Sequence, residues 1–399
     1  MADVVLTAGD VPGYVAGRPT LRGLVDADTL TVTEVGDGNL NLVFICVDAS
    51  GRRVVLKQAL PYVRLVGPEW PMTELRAARE ASALTVHGAL SEHVCRLLDF
   101  DEKHNVLVLE DLSDHEVFRS RLNAGGAHDG IVERLSEYVA DVAFGTSFLR
   151  LTEEEFRLRA AAAANPELCA ISEALVFTEP FLGAERNSVR PSVAPLLAGL
   201  QADAAWVASA LEMKRAFLTR QEMLVHGDLH TGSVFVRGSG DGVSVKAFDS
   251  EFACYAPIGF DLGMLWANLL FAGMRAAVLG DDARADALFG SVETSWRVFA
   301  ARFAAHWPER RDPAGYPDVF LDGWLTAILR DCFGFAGCEA ARRTVGLAKV
   351  SDVETLDDAP YTAAASAMLR LSRTLLVGRA ALGAEDVAGL CRKALGAAG

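Results

Sequence analysis

The chain changes character near residue 112. Before that point, short β-type runs alternate with turns. Thr31-Val32-Thr33-Glu34-Val35 is followed by the turn Gly36-Asp37-Gly38-Asn39, a strand over 40–47, the turn Asp48-Ala49-Ser50-Gly51, and Arg53-Val54-Val55-Leu56-Lys57. Apolar and β-branched runs of this length, separated by glycine and aspartate turns, predict antiparallel hairpins. Residues 72–87 have helical apolar spacing, and Val106-Leu107-Val108-Leu109 predicts another strand, ending at Glu110-Asp111-Leu112. Beyond 112, Ala/Leu/Arg-rich segments at 131–149, 193–219, 262–278, 283–307, 317–333 and 361–379 predict helices, and the alanine run 160–164 joins them. A β patch at 234–236 and 243–248 interrupts them around the glycine-rich turn 238–242. The expected fold class is α+β. Residues 1–112 form a β-rich lobe and 113–399 a mainly helical one, because 399 residues exceed one ordinary core.

With 51% hydrophobic and 23% charged residues, the chain can bury a large core. A net charge of −15 makes the chain a poor candidate for a general nucleic-acid binder, whose affinity rests on neutralising phosphates. It leaves room for a local basic pocket. The seven cysteines are scattered and contain no Cys-x-x-Cys, which predicts reduced, buried thiols. Residues 1–25 lack a basic start followed by an apolar run, and the apolar stretch 262–274 is too short to span a bilayer. No membrane association is expected, and a cytoplasmic location is.

The segment Val225-His226-Gly227-Asp228-Leu229-His230-Thr231-Gly232-Ser233, followed by Phe248-Asp249-Ser250-Glu251, carries most of the chemical information. It sets one isolated aspartate in a loop and two carboxylates some twenty residues on. Phosphoryl transfer needs such a layout: a positioned acceptor, neutralised phosphate charge and a group to orient the attacking hydroxyl. Asp228 is the candidate for that last task. Asp249 and Glu251, two apart, fall on one side if the segment is extended, and flanking Ala247, Phe248, Phe252 and Ala253 bury them. Two such carboxylates repel unless a cation sits between them, and hard oxygen ligands suit Mg²⁺.

His226 and His230 stand four apart, but Gly227 argues against a zinc-binding helix. His226 is expected to brace the loop, and His230 to contact substrate or pack. Asp261 is expected to cap the next helix or to brace the loop through backbone N–H groups.

Four further features gain meaning only together. The turn from Gly36 through Asp37, Gly38 and Asn39 to Asn41 is by itself an ordinary hairpin tip, yet glycines let backbone N–H groups approach phosphates. Lys57 is by itself an edge lysine, but it follows that tip by one hairpin and can reach phosphates if a carboxylate supports it. Glu80 is the first choice and Glu74 the second. Arg342 and Arg343, on a probable helix, are either a surface pair or ligands for substrate oxygens. Trp70, on a proline-bounded loop, is either a lid over a ligand or a wedge between lobes.

These segments, together with Lys57-Gln58-Ala59-Leu60-Pro61-Tyr62, Trp70-Pro71-Met72, Asn165-Pro166-Glu167-Leu168-Cys169, Phe177-Thr178-Glu179-Pro180 and Arg342-Arg343-Thr344-Val345-Gly346, resemble the S-methyl-5-thioribose kinase family among protein-kinase-like small-molecule phosphotransferases. The resemblance implies a two-lobed fold with ATP in the cleft. It implies Asp228 acting on the anomeric hydroxyl of methylthioribose, Mg²⁺ on Asp249 and Glu251, and phosphates met by Lys57 and covered by 36–41. Adenine would lie on the backbone of Glu110, Asp111 and Leu112. Arg342, Arg343 and Trp70 would lie on the sugar side. The resemblance also implies a homodimer and a place in methionine salvage.

Two departures stand out. Ser250 occupies a position where the family usually has proline, and Ser233 sits near the place of a second, asparagine metal ligand in related enzymes. The competing expectations are a kinase of the same fold acting on another alcohol, such as an aminoglycoside, choline or another sugar, and a non-catalytic nucleotide-binding protein.

Overall fold

A computed structural model describes residues 5–36, 40–64 and 67–397. The N-terminal part is built on a five-stranded antiparallel sheet in the order Thr31–Glu34, Asn41–Val47, Arg53–Ala59, Val106–Leu109, Leu97–Asp101. Successive side chains on a strand face opposite ways. Val54 and Leu56 therefore join Phe44, Cys46, Val106 and Val108 in an outer core. Leu6, Val11, Val15, Leu21 and Val25 of the N-terminal segment cover that core. The other face carries Lys57, Ala59 and Leu107 toward the helix Leu75–Gly88, whose Ala77, Ala81 and Leu84 belong to the main core. Alternation thus decides that Lys57 points at the helix and the cleft rather than outward.

The C-terminal part is dominated by three packed helices: Gly259–Val278, Asp318–Val345 and Asp358–Gly378. The first approaches the second backbone to backbone. A Cβ on Gly263 would stand 2.6 Å from Phe335 Cβ and 2.8 Å from both the Ala336 nitrogen and the Cys332 oxygen. Gly259, one turn earlier, is equally tight, at 2.7 Å from Asp331 Cβ. This contact matters for the site because each helix carries part of it.

Several boundaries differ from the sequence expectations. The helix expected at 317–333 continues to Val345 and so carries the arginine pair. The single helix expected over 193–219 is two, Ala194–Gln201 and Ala204–Thr219. Asp203 caps the second by accepting from the Ala205 and Trp206 N–H groups. The strand Leu97–Asp101 was not expected, and its irregular pairing near Leu97 and Asp99 accounts for its weak alternation. The cysteines are unpaired, and all but Cys169 are buried. No helix among the described residues is long and apolar enough to cross a membrane.

Gly263→Ala should raise intrinsic helix propensity by up to about 1 kcal/mol. Overpacking against the Asp318–Val345 helix should outweigh that gain, with a net loss of about 1–3 kcal/mol. Thermal unfolding checks the sign; an unchanged or raised melting temperature would mean that the helices part at no cost.

Candidate active site

The loop bearing Asp228 hangs from the short strand Met223–Val225, which pairs antiparallel with Cys254–Ala256. Gly227 turns the chain with φ +87°, and a Cβ there would lie 2.3 Å from the Phe252 carbonyl oxygen, so only glycine fits. The His226 and Gly227 N–H groups donate to the Asp261 carboxylate at 2.7 and 3.0 Å. Asp261 lies in the first turn of the helix Gly259–Val278, and burial raises its carboxyl above the ordinary range. The His226 ring meets the Phe248 carbonyl at 2.9 Å, tying the Asp228 loop to the residue before Asp249. The histidine pair therefore shares no metal-binding helix.

Asp228 faces the end of the helix Asp318–Val345. Its Oδ1 accepts from Arg342 Nη1 at 3.2 Å and Arg343 Nη2 at 3.3 Å, and its Oδ2 lies 3.2 Å from His230 Nε2. Glu339, one turn back on the same helix, holds both arginines, with Oε2 at 3.2 Å from Arg342 Nη1 and Oε1 at 2.5 Å from Arg343 Nε. Spacings of three and four residues put these groups on one helical face. Burial works to raise the Asp228 carboxyl, but His230 and the two arginines outweigh it and hold it well below the ordinary value of 3.8. Burial pushes the His230 imidazole down to about 4. At neutral pH the site therefore holds an ionised Asp228 beside a neutral His230.

Across the cleft, Lys57 Nζ donates to both oxygens of Glu80, at 2.8 and 2.7 Å, and to Asp249 Oδ1 at 2.5 Å. Burial alone would lower the lysine, but Asp249, Glu80 and Glu251 hold it above its ordinary range. It remains a cation.

The expectation that 249–251 is extended is wrong. Asp249 is left-handed, with φ +64°, and Ser250–Phe252 forms a 3₁₀ turn, so the carboxylates share no strand face. Both still line the cleft, because tertiary contacts turn them there. Glu251 Oε2 is held by Asn41 Nδ2 at 3.1 Å and Arg76 Nε at 3.2 Å, and Asn165 Nδ2 donates to the Glu251 carbonyl at 2.8 Å.

A cleft of about 530 Å³ brings together Asn41, Lys57, Asp228, His230, Asp249, Glu251 and Arg343. Other expected residues stand apart from it. Arg342 acts on Asp228 from behind the cleft wall. Trp70, on the strand Gly67–Pro71, lies under the Arg186 guanidinium at 5.7 Å, and Arg186 is itself paired with Glu179. That position joins the Trp-Pro-Met segment to residues of the helical part.

Glu110, Asp111 and Leu112 follow the strand next to that of Lys57 but do not line this cleft. The Glu110 side chain accepts from the Arg96 N–H at 2.8 Å, and Asp111 accepts from Ser113. No hydrogen bond among the described residues uses the Glu110 carbonyl or the Leu112 N–H. Gly36 lies in the turn after the strand Thr31–Glu34, whereas Asp37, Gly38 and Asn39 lie outside the described residues. Glu74 does not replace Glu80 as the lysine's partner.

Three residues that the sequence reading passed over complete the site. Arg76 is fully buried and joins the Leu40 carbonyl and Asn41 to Glu251. It precedes Glu80 by one helical turn, a spacing that could have flagged it. Glu339 could have been found by the same spacing from Arg342 and Arg343. Asn165 stood in a segment that carries the family resemblance, but its role had no local signal, since it acts through backbone carbonyls far along the chain.

Comparison with known proteins agrees with this geometry. Residues 31–299 match the phosphotransferase enzyme family known as APH. Methylthioribose kinase of Yersinia pseudotuberculosis is 40% identical over 373 residues, covering 90% of this chain and 89% of that protein. Methylthioribose kinase of Geobacillus kaustophilus is 39% identical over 369 residues, covering 90% of each.

Asp261→Ala should strand two buried N–H donors, at about 1–3 kcal/mol each. Its apparent melting temperature should fall while the Lys57 side of the cleft, probed by nucleotide binding, is disturbed less. A wild-type melting temperature would remove Asp261 as the brace of the loop.

Proposed function

The chain belongs to the methylthioribose kinase family within the APH phosphotransferases, and we propose that it transfers the γ-phosphoryl group of ATP to the anomeric 1-hydroxyl of S-methyl-5-thioribose. The carrying observation is an ionised Asp228 held by an arginine pair on one wall of a cleft whose other wall presents Lys57, Asp249 and Glu251.

The acceptor hydroxyl donates to Asp228, which aims its oxygen at the γ-phosphorus. A carboxylate pulled this low is a weak base. It serves mainly to orient the hydroxyl, whose proton leaves late, as the phosphoryl group bonds to the oxygen and the bond to ADP breaks. Lys57, buttressed by Glu80, meets the phosphates as a fixed cation. The open Glu110 carbonyl and Leu112 N–H suit the hydrogen-bonding edge of adenine. The tip 36–41 covers the phosphates in this reading.

Mg²⁺ would be held by Asp249 and Glu251. Among the described residues no group of three or more His, Cys, Asp or Glu could hold a metal. Two carboxylates on a cleft wall nevertheless suit an ion that takes its other ligands from phosphates and water. Such an ion neutralises phosphate charge. Ser250 replaces a stiffening proline between the acids, and its buried hydroxyl has no partner among the described residues. Ser233 lines the cleft with its hydroxyl 3.3 Å from His230 Nε2.

A neutral sugar suits this wall better than choline or an aminoglycoside. Asp228 already faces two guanidinium groups, so a cationic acceptor would find no spare carboxylate there. The methionine-salvage role, homodimer and cytoplasmic location implied by the family resemblance belong to the same proposal.

ADP release with Mg-ATP, comparing methylthioribose with ribose, choline and an aminoglycoside, tests the assignment. Turnover is expected with methylthioribose, and turnover only with another acceptor would overturn the substrate. Asp228→Asn should cut kcat by about 10²–10⁴-fold while ATP binding is nearly kept; retained turnover would remove Asp228 from the chemistry. Arg343→Met removes one cation that depresses the Asp228 carboxyl, so that carboxyl rises. The acid limb of kcat/KM should therefore move to higher pH than in wild type, and an unmoved limb would argue against this electrostatic role.

A further inference from the structure

Resting on that reading, we infer that Arg119 is a third arginine of the acceptor pocket, donating from Nη1 to an oxygen of the sugar, and that Gly232 is glycine to let it in. Arg119 lies on the short helix Phe118–Asn123 and lines the cleft beside Asp228, His230 and Gly232. One of its three nitrogens makes a hydrogen bond, and a second rests in an ion-pair contact without hydrogen-bond geometry. Nη2 donates to Asn268 Oδ1 at 2.5 Å, and Nε faces the buried Asp352 carboxylate at 3.2 Å. Nη1 makes no hydrogen bond among the described residues, although the guanidinium is locked in place. A guanidinium held on one edge and open on the other is preorganised to bind oxygen.

Its approach requires the missing side chain at 232. A Cβ on Gly232 would stand 3.0 Å from Arg119 Nη1 and 2.8 Å from His230 Cε1. The backbone there has no need of glycine's conformational freedom, since its φ is not positive. The space itself is what glycine provides. This gives the Thr231-Gly232-Ser233 segment a physical role on the acceptor side.

Arg119 also belongs to the machinery that sets Asp228. Asn268, which accepts from Arg119, donates to Glu339 Oε1 at 3.3 Å, and Glu339 holds Arg342 and Arg343. Arg119, Arg342 and Arg343 thus face Asp352, Glu339 and Asp228, three cations against three carboxylates. A wall balanced in this way favours a neutral, oxygen-rich ligand, and Arg119 Nη1, the nitrogen beside Gly232, supplies a directional contact to it.

Steady-state kinetics on the purified enzyme test the assignment. Arg119→Gln should raise the KM for methylthioribose by about 10–100-fold, as expected for loss of a charged hydrogen bond, and leave the KM for ATP within about twofold. Because that change strands Asp352, the double variant Arg119→Gln with Asp352→Asn is measured beside it and should show the same split. Gly232→Ala keeps the Arg119–Asp352 pair and crowds the outer nitrogen together with the His230 ring. It should raise the same KM by a smaller factor, with the wild-type melting temperature. Equal rises in both KM values, or no rise in a folded Gly232→Ala or double variant, would overturn the role of Arg119. If wild type turns over methylthioribose and only this split is missing, the kinase reading stands. If wild type does not turn it over, both fall.

Discussion

An ionised carboxylate taken out of water must be paired, or it takes up a proton. Asp228 sits under that constraint, and much of the surrounding structure follows from it. Its charge is met by Arg342 and Arg343, whose own charges are met by Glu339 on the same helix. Asn268 carries the chain on to Arg119, and Arg119 to Asp352. Removing any one member leaves a buried charge exposed to its like. The network is therefore better seen as one unit than as seven separate contacts. Its chemical result is a carboxylate that stays ionised although buried.

The network can close only if the helices Gly259–Val278 and Asp318–Val345 lie close together. Gly259 and Gly263 allow that, because any side chain there would meet the backbone of the partner helix. The first helix then places Asp261 under the His226 and Gly227 N–H groups, while the second brings its last turn to Asp228. One packing contact thus positions both the loop and the charges that act on it. The Lys57 side of the cleft is tied to this frame by polar contacts: Lys57 with Asp249, and Asn41 and Arg76 with Glu251.

Much of this was legible without coordinates. Lys57 was expected at the end of a strand with Glu80 as its first-choice partner, and the two are hydrogen-bonded. Gly227 ruled out a histidine-bearing helix. Asp261 was expected either to cap the next helix or to brace the loop through backbone N–H groups, and it braces the loop. The errors share one cause. Asp249 to Glu251 was taken as extended because local alternation is all that a short segment offers, whereas a left-handed residue and a 3₁₀ turn are imposed by its neighbours. The helix bearing the arginine pair was ended twelve residues early because its second half is buried on every side, charged residues included, which leaves no polar face to mark the period.

The sequence by itself determined the two-part α+β organisation, the family, and the residue types able to perform phosphoryl transfer. Period, turn chemistry and motif order are local properties that survive without a fold. Only the tertiary structure decided which charges meet. Arg119, Asn268, Glu339 and Asp352 stand on separate elements, and Arg76 and Asn165 reach Glu251 from distant segments. Their pairings depend on burial and on how closely helices approach, and those quantities exist only once the chain has packed.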